Sequence, residues 1–156
     1  MGTEIEHKFL LRDERWRQQT TRSVRMRQGY LTSDERCSVR VRVAGDQGFL
    51  NVKSGTLGIQ RSEYEYPIPL AEAEEILDTL CAKPVLEKTR HYVPVGEHCW
   101  EVDEFAGANA GLIVAEVELS RPDEPFERPD WAGEDVSGDP RYYNSRLARQ
   151  PYTTWP

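Results

Sequence analysis

Polar and apolar residues alternate along most of this chain, which is the repeat of a β-strand with two different faces. In the first such segment, residues 3–10, Glu4, Glu6 and Lys8 share one face and apolar side chains occupy most of the other. Glycine- and polar-rich turns separate the segments. The same alternation predicts further strands at 22–31, 38–43, 49–53, 59–66, 85–95, 99–105 and 113–120.

Two segments break the alternation and predict helices. Apolar residues recur at helical spacing between residues 70 and 80, which favours an amphipathic helix. They are Leu70, Ala73, Ile76, Leu77 and Leu80. Asp139 followed by Pro140 is typical of a helix N-terminus, so a second helix is expected to run through Leu147 and end before Pro151. Because most links between strands are short, the fold class expected is mainly antiparallel β (α+β), with eight strands, a mid-chain helix and a C-terminal helix.

Length and composition favour one domain spanning residues 1–156. The net charge of −7 argues against a general basic surface for nucleic acid. No apolar run reaches the length of a membrane span or resembles a signal peptide, so a cytoplasmic location is expected. Cys37, Cys81 and Cys99 lack zinc-ligand spacing and are odd in number, so we expect reduced, mostly buried side chains.

Charge of one sign repeats along one face of most predicted strands. The same-face charges are Glu4, Glu6 and Lys8; Arg40 and Arg42; Lys53; Glu63 and Glu65; Lys88 and Arg90; Glu101 and Asp103; and Glu116 and Glu118. On any single strand a solvent-facing surface explains such residues best. A solvated face usually mixes several polar residue types, however, and neighbouring like charges repel. Repetition over seven strands therefore favours an alternative, a barrel whose interior is charged.

In that alternative, the outside of the barrel supplies an apolar surface for both the mid-chain helix and the C-terminal segment. A ligand carrying charges of both signs would relieve the repulsion within each set of strands. Arginine and lysine side chains suit phosphate oxygens, and carboxylates suit Mg²⁺, which prefers oxygen ligands and substrate phosphates. The chain has no P-loop, and His7, His91 and His98 lack metal-ligand spacing.

The motifs resemble, in order and over nearly the whole chain, those of the CYTH superfamily, the triphosphate tunnel metalloenzymes. The first strand resembles the ExExK signature of that family. Further matching segments are 28–31, 39–42, Lys53, 63–65, 88–90, 100–105, 115–119 and 143–148. His7 is a departure, because many bacterial members have arginine at this position; we expect it to face outward. The resemblance implies an eight-stranded antiparallel β tunnel, a triphosphate-containing substrate and a divalent metal.

The resemblance also suggests roles for the charged residues. Lys8 and Tyr30 are expected to be catalytic and to form a pair near the scissile phosphate. Whether Lys8 acts as a base, orients the water or only supplies charge stays open. The residues expected to bind the triphosphate are Arg40, Arg42, Lys53, Lys88 and Arg90. The expected metal ligands are Glu4, Glu6, Glu116 and Glu118, with Glu63, Glu65, Glu101 and Asp103 as supporting acids. The metal expected is Mg²⁺, with Mn²⁺ as the alternative.

Within the superfamily, the short chain and its N-terminal motifs resemble inorganic triphosphatases most, which hydrolyse tripolyphosphate to pyrophosphate and phosphate. Thiamine triphosphatase and class IV adenylate cyclase stay open as alternatives. A non-catalytic polyphosphate or nucleotide sensor would have little use for eight carboxylates. A lipocalin-like carrier would need an apolar inner face. No nucleic-acid or membrane partner is expected, and the oligomeric state stays open, with a homodimer as one option.

Overall fold

The computed structural model describes residues 2–156 as nine strands and two α-helices, with short 3₁₀ helices in several of the connections. The strands are β1 (Thr3–Leu11), β2 (Arg22–Ser33), β3 (Cys37–Ala44), β4 (Gln47–Ser54), β5 (Gln60–Ile68), β6 (Leu86–Val95), β7 (His98–Phe105), β8 (Ile113–Glu118) and β9 (Ala132–Asp135). The helices are α1 (Leu70–Thr79) and α2 (Asn144–Arg149).

Eight strands close into an antiparallel barrel in the order β5-β4-β3-β2-β6-β7-β8-β1, and β1 returns to pair with β5. The predicted fold class is therefore confirmed. The ninth strand, β9, was not predicted, because it is only four residues long and pairs outside the barrel with the C-terminal half of β1. β5 and β9 lie along the same edge of β1. On that edge the backbone N–H of Glu6 donates to the carbonyl oxygen of Ile59, and the carbonyl oxygen of Lys8 accepts from the backbone N–H of Val136.

The main apolar core lies outside the barrel wall, between the sheet and the segment that follows β8. Phe9 and Val117 of the wall are almost completely buried there, together with Trp100 and Trp131, whose rings meet edge to face at 5.4 Å between centroids. His7 lies on this outer side, where its ring contacts Phe126 and its Nδ1 atom is 3.1 Å from Asp135. The outward position expected for His7 is thus observed.

Helix α1 covers a second apolar patch on the outer face of β3 and β4. Ala73 and Leu77 are fully buried against Val41 and its neighbours. Leu80 was expected on this buried face, but it lies beyond the end of the helix and is 67% exposed. Cys81 is buried in the same cluster, whereas the expectation of burial was wrong for Cys99, which is exposed.

The C-terminal segment differs from the prediction in two ways. Asp139 does cap a helical turn, but this is a 3₁₀ turn, Pro140–Tyr142, and the chain becomes extended at Tyr143 before α2 begins. In addition, α2 does not pack on the outer wall. Leu147 is fully buried against Phe105 and other apolar side chains on the inner face of the wall, at one end of the barrel.

No helix within residues 2–156 is both long and apolar enough to cross a membrane.

Candidate active site

The inner faces of the barrel strands surround a cavity of about 490 Å³. Its lining runs from the turn between β3 and β4 to the first residues of α2. All of the site residues expected from the sequence line this cavity except Asp103. Asp103 is 1% exposed and lies behind the lining, where it contacts Lys88 and Arg90. The charged faces therefore do meet inside the barrel, although their individual roles stay predictions.

The strand register places acidic side chains side by side on one wall. Glu6 of β1 pairs directly with Glu118 of β8, and Glu116 of β8 pairs directly with Glu101 of β7. Directly paired residues point to the same face of an antiparallel sheet, so all four carboxylates face the cavity. Such crowding of like charge in a buried wall is unfavourable unless protons or cations neutralise part of it.

The electrostatics of Glu6 show this crowding most clearly. Burial raises the pKa of Glu6 well above its usual value, and the nearby Glu116 and Glu4 carboxylates raise it further. Burial likewise raises the pKa of Glu118, with Glu4 and Glu101 as the next causes. Burial and repulsion thus disfavour the charged form of these carboxylates, and a bound cation would favour it.

This donor set fits a divalent cation such as Mg²⁺, because its atoms are carboxylate oxygens and neutralisation is required. Within residues 2–156, no three His, Cys, Asp or Glu side chains already converge in a metal-binding arrangement. The charge of a bound cation would offset the repulsion around Glu6.

Lys8 is buried among these acids. Its Nζ atom lies 3.4 Å from Glu116 and donates a hydrogen bond of 3.2 Å to the carbonyl oxygen of Tyr142. The resemblance suggested a pair between Lys8 and Tyr30, but among the described residues the two side chains make no hydrogen bond. Tyr30 instead lies beside Arg40. Burial by itself lowers the pKa of Arg40, yet Tyr30 and nearby carboxylates raise it overall.

The basic side chains lie on β3, β4 and β6 and form a second wall, the basic wall. It meets the acidic wall in a dense ion-pair cluster around Asp103 of β7. Arg90 donates to both oxygens of Asp103, at 2.8 and 2.9 Å, and to Glu116 at 3.0 Å. Lys88 donates to Asp103 at 2.7 Å. Burial alone would raise the pKa of Asp103, but Arg90 and Lys88 outweigh it and lower that pKa to about 2. Asp103 therefore keeps its charge and fixes both cations.

Burial lowers the pKa of Lys88 to about 7 in spite of Asp103, and Arg90 and Arg42 contribute to the lowering. Burial also lowers the pKa of Arg42 to about 10, with Arg40 and Arg90 adding to the effect. The basic wall is thus a set of crowded cations with a deficit of negative charge. A bound polyanion would relieve it.

An amide relay that the sequence analysis missed connects this wall with α2. Arg42 donates to the side-chain oxygen of Gln28 at 2.9 Å, and the Gln28 amide donates to Asn144 at 2.8 Å. The Asn144 oxygen also accepts from Lys88 at 3.1 Å. Gln28 is fully buried, so its two hydrogen bonds set the position of the Arg42 guanidinium.

A third group of charges lies between β1, β4 and β5. Lys53 is 3.3 Å from Glu4 and 3.2 Å from Glu63, and Arg61 is 3.6 Å from Glu4. Burial raises the pKa of Glu4, but Lys53 and then Arg61 bring it below its usual value overall. Arg61 was not among the expected site residues. Its inward position follows the two-residue repeat that also places Glu63 inside, so the signal was present in the sequence.

The match to known proteins covers most of the chain. A family model described as the CYTH domain matches residues 2–143. The chain is 50% identical to an inorganic triphosphatase of Acetivibrio thermocellus over 152 residues, covering 97% of both proteins. It is 37% identical to an inorganic triphosphatase of Nitrosomonas europaea, covering 94% of this chain and 97% of the relative.

Solved structures share the same architecture. The crystal structure of an inorganic triphosphatase superposes with a TM-score of 0.67 at 34% identity, covering 95% of each chain. A putative adenylyl cyclase from Hippeastrum, described as having a dominant triphosphatase activity, superposes with a TM-score of 0.58 at 13% identity, covering 79% of this chain and 81% of the other. At that identity the second likeness concerns the fold alone.

Proposed function

The chain belongs to the CYTH domain family, and from this premise we propose that it is a metal-dependent triphosphatase whose preferred substrate is inorganic tripolyphosphate. One observation carries the proposal: the basic wall and the acidic wall line the same cavity inside the barrel. A triphosphate is a polyanion that binds cations along its length, so it complements both walls at once. Residues 1–156 would form one domain around this site.

On the basic wall, crowded cationic side chains with too few carboxylate partners would bind the phosphate oxygens. These are Arg40, Arg42, Lys53, Lys88 and Arg90, with Arg61 in addition. Asp103 would hold Lys88 and Arg90 in place instead of contacting the substrate, since it lies behind them. The arginines would bind through two parallel hydrogen bonds, and the lysines would act as point charges.

On the acidic wall, Glu4, Glu6, Glu116 and Glu118 would hold the metal, with Glu63, Glu65 and Glu101 in support. We propose Mg²⁺, with Mn²⁺ as the alternative. A bound divalent cation neutralises phosphate charge and acidifies bound water. Lys8, which contacts Glu116, would stabilise the negative charge on the oxygens of the phosphoryl group that reacts. In the reaction, a water oxygen bonds to that phosphorus, the bridging P–O bond breaks, and pyrophosphate and phosphate are released.

The test is phosphate release from tripolyphosphate, thiamine triphosphate, ATP and pyrophosphate, each with Mg²⁺, Mn²⁺ or Ca²⁺. Cyclic AMP is measured in the ATP reactions. We expect the highest kcat/KM with tripolyphosphate and no activity without metal. A higher value with thiamine triphosphate, or formation of cyclic AMP, would replace the proposed substrate by one of these alternatives. Binding of tripolyphosphate without release of phosphate would contradict an enzymatic function.

A further inference from the structure

Tyr143 occupies an unusual position between two helical segments. The 3₁₀ turn Pro140–Tyr142 ends just before it and α2 begins just after it, while Tyr143 itself is extended, with φ −71° and ψ 138°. This break turns the side chain into the barrel, where it lines the cavity and is 7% exposed. A continuous helix would not have placed the ring there.

The Tyr143 hydroxyl joins two parts of the chain that carry site residues. It donates a hydrogen bond of 2.7 Å to the carbonyl oxygen of Ser137 and accepts one of 3.1 Å from the backbone N–H of Gly58. Gly58 lies in the loop between β4 and β5 and has a φ of +100°, which few other residues adopt. Ser137 in turn accepts, through its own hydroxyl, a hydrogen bond of 2.9 Å from the backbone N–H of Lys8.

The Tyr143 ring contacts two cations of the site. The Nζ atom of Lys8 is 5.5 Å from the ring centroid, and the Cζ atom of Arg61 is 5.0 Å from it. Cations are attracted to an aromatic face at these distances, and the attraction is stronger where water is excluded. Each cation also lies near a carboxylate of the acidic wall, Lys8 near Glu116 and Arg61 near Glu4.

We propose that Tyr143 is a positioning residue of the site: its ring holds Lys8 and Arg61 in place, and its hydroxyl fixes the β4–β5 loop at Gly58. Tyr143 acts through these groups and does not itself touch the reacting atoms. The proposal rests on the proposed triphosphatase function and assigns to it a residue outside the charged wall.

Two substitutions separate the ring from the hydroxyl. Tyr143→Phe keeps the ring and removes the hydroxyl, whereas Tyr143→Leu removes both. Tyr152→Phe is the matched control, since Tyr152 packs in the apolar end of the barrel and its hydroxyl makes no hydrogen bond within residues 2–156. We expect Tyr143→Leu to lower kcat for tripolyphosphate by about 10-fold, with a smaller increase in KM because Arg61 also loses its position. Tyr143→Phe is expected to restore most of both losses.

Hydrogen exchange at the Gly58 amide tests the hydroxyl independently of activity. Without its acceptor, this amide is expected to exchange about 3- to 10-fold faster in both Tyr143 variants and at the wild-type rate in Tyr152→Phe. A purely structural role would instead accelerate exchange throughout the barrel. If Tyr143→Leu does not fold, the Tyr143→Phe measurement decides.

Unchanged exchange at Gly58 in Tyr143→Phe would overturn the proposal, and so would a kcat of folded Tyr143→Leu within about 2-fold of wild type. These results differ from a failure of the proposed function, in which the wild-type protein itself would release no phosphate.

Discussion

The ammonium group of Lys8 lies 3.4 Å from the carboxylate of Glu116, its direct partner on the neighbouring strand. Both side chains are almost completely buried. Burial alone would raise the pKa of Glu116, but Lys8 and then Arg90 outweigh it and hold that pKa well below its usual range. Glu116 is therefore charged at neutral pH, and it joins the acidic wall to Lys8, the cation that we propose for catalysis.

Lys8→Ala is expected to lower kcat for tripolyphosphate by about 10² to 10³-fold at saturating Mg²⁺, because it removes a buried positive charge next to the reacting phosphate. Steady-state phosphate release measures the effect. Lys83→Ala is the control, since the Lys83 side chain donates to the carbonyl oxygen of Leu77 in α1 and does not line the cavity. An unchanged turnover number for Lys8→Ala would exclude a catalytic role.

Lys8→Arg shows which property of Lys8 is used. Arginine keeps the charge but does not release a proton in proteins. If Lys8 supplies charge alone, Lys8→Arg is expected to recover activity relative to Lys8→Ala. No recovery, in a variant that binds tripolyphosphate normally, would instead support a role in proton transfer.

Glu6→Gln is expected to stabilise the metal-free protein at pH 8 while weakening its response to ligand. The pKa of Glu6 is raised, so its contribution to stability is present at low pH and is lost as pH rises through that pKa. Glutamine cannot ionise, so it removes the free-energy cost of the buried Glu6 charge at high pH. The melting temperature of the metal-free variant should therefore be a few degrees above that of wild type at pH 8, and the difference should shrink toward pH 4.

Mg²⁺ with tripolyphosphate is expected to raise the melting temperature of the wild type, because a ligand that binds only the folded state stabilises it. The increase should be smaller in Glu6→Gln than in wild type. It should equal that of wild type in Glu72→Gln, because the Glu72 side chain is exposed on α1. An equal increase in wild type and Glu6→Gln would argue against Glu6 as a metal ligand.

Asp103→Asn is expected to destabilise the fold by about 3–5 kcal/mol at pH 7, because it leaves Lys88 and Arg90 buried without their main counter-charge. Urea unfolding measures the loss. The lowered pKa of Asp103 means that its stabilisation is present above the unfolded-state value and disappears as pH falls toward about 2. The variant should therefore lose less stability than wild type between pH 4 and 2. A loss below about 1 kcal/mol at pH 7 would contradict this structural role.

The pH dependence of kcat/KM tests Lys88. With its pKa at about 7, Lys88 loses its charge as pH rises through neutrality in the free enzyme. The wild-type kcat/KM for tripolyphosphate is expected to fall by about 10-fold above this pKa, as a charged contact is lost. Lys88→Arg stays charged, so its profile should lack this decrease. Identical profiles for the two proteins would exclude titration of Lys88 as the cause.

From the sequence alone we could predict the eight barrel strands, the prevailing sign of the charge on most inner faces, and the family. The reason is local: a two-residue repeat assigns every side chain of a strand to one of two faces once the strand is recognised. Arg61 was not among the expected site residues, yet the same repeat places it on the inner face with Glu63. Helix α1 was equally readable from its apolar spacing, apart from Leu80 at its end.

The closed barrel, in contrast, determines which charges are neighbours and where the C-terminal segment lies. Lys8 and Glu116 are distant in sequence, and their contact depends on the pairing of β1 with β8, which the strand repeat does not encode. The helix predicted from Asp139 is interrupted at Tyr143, where the hydroxyl bonds Ser137 and Gly58. Local helix signals cannot anticipate this break, because the partners of Tyr143 and the inner-face apolar pocket filled by Leu147 exist only after the barrel has closed.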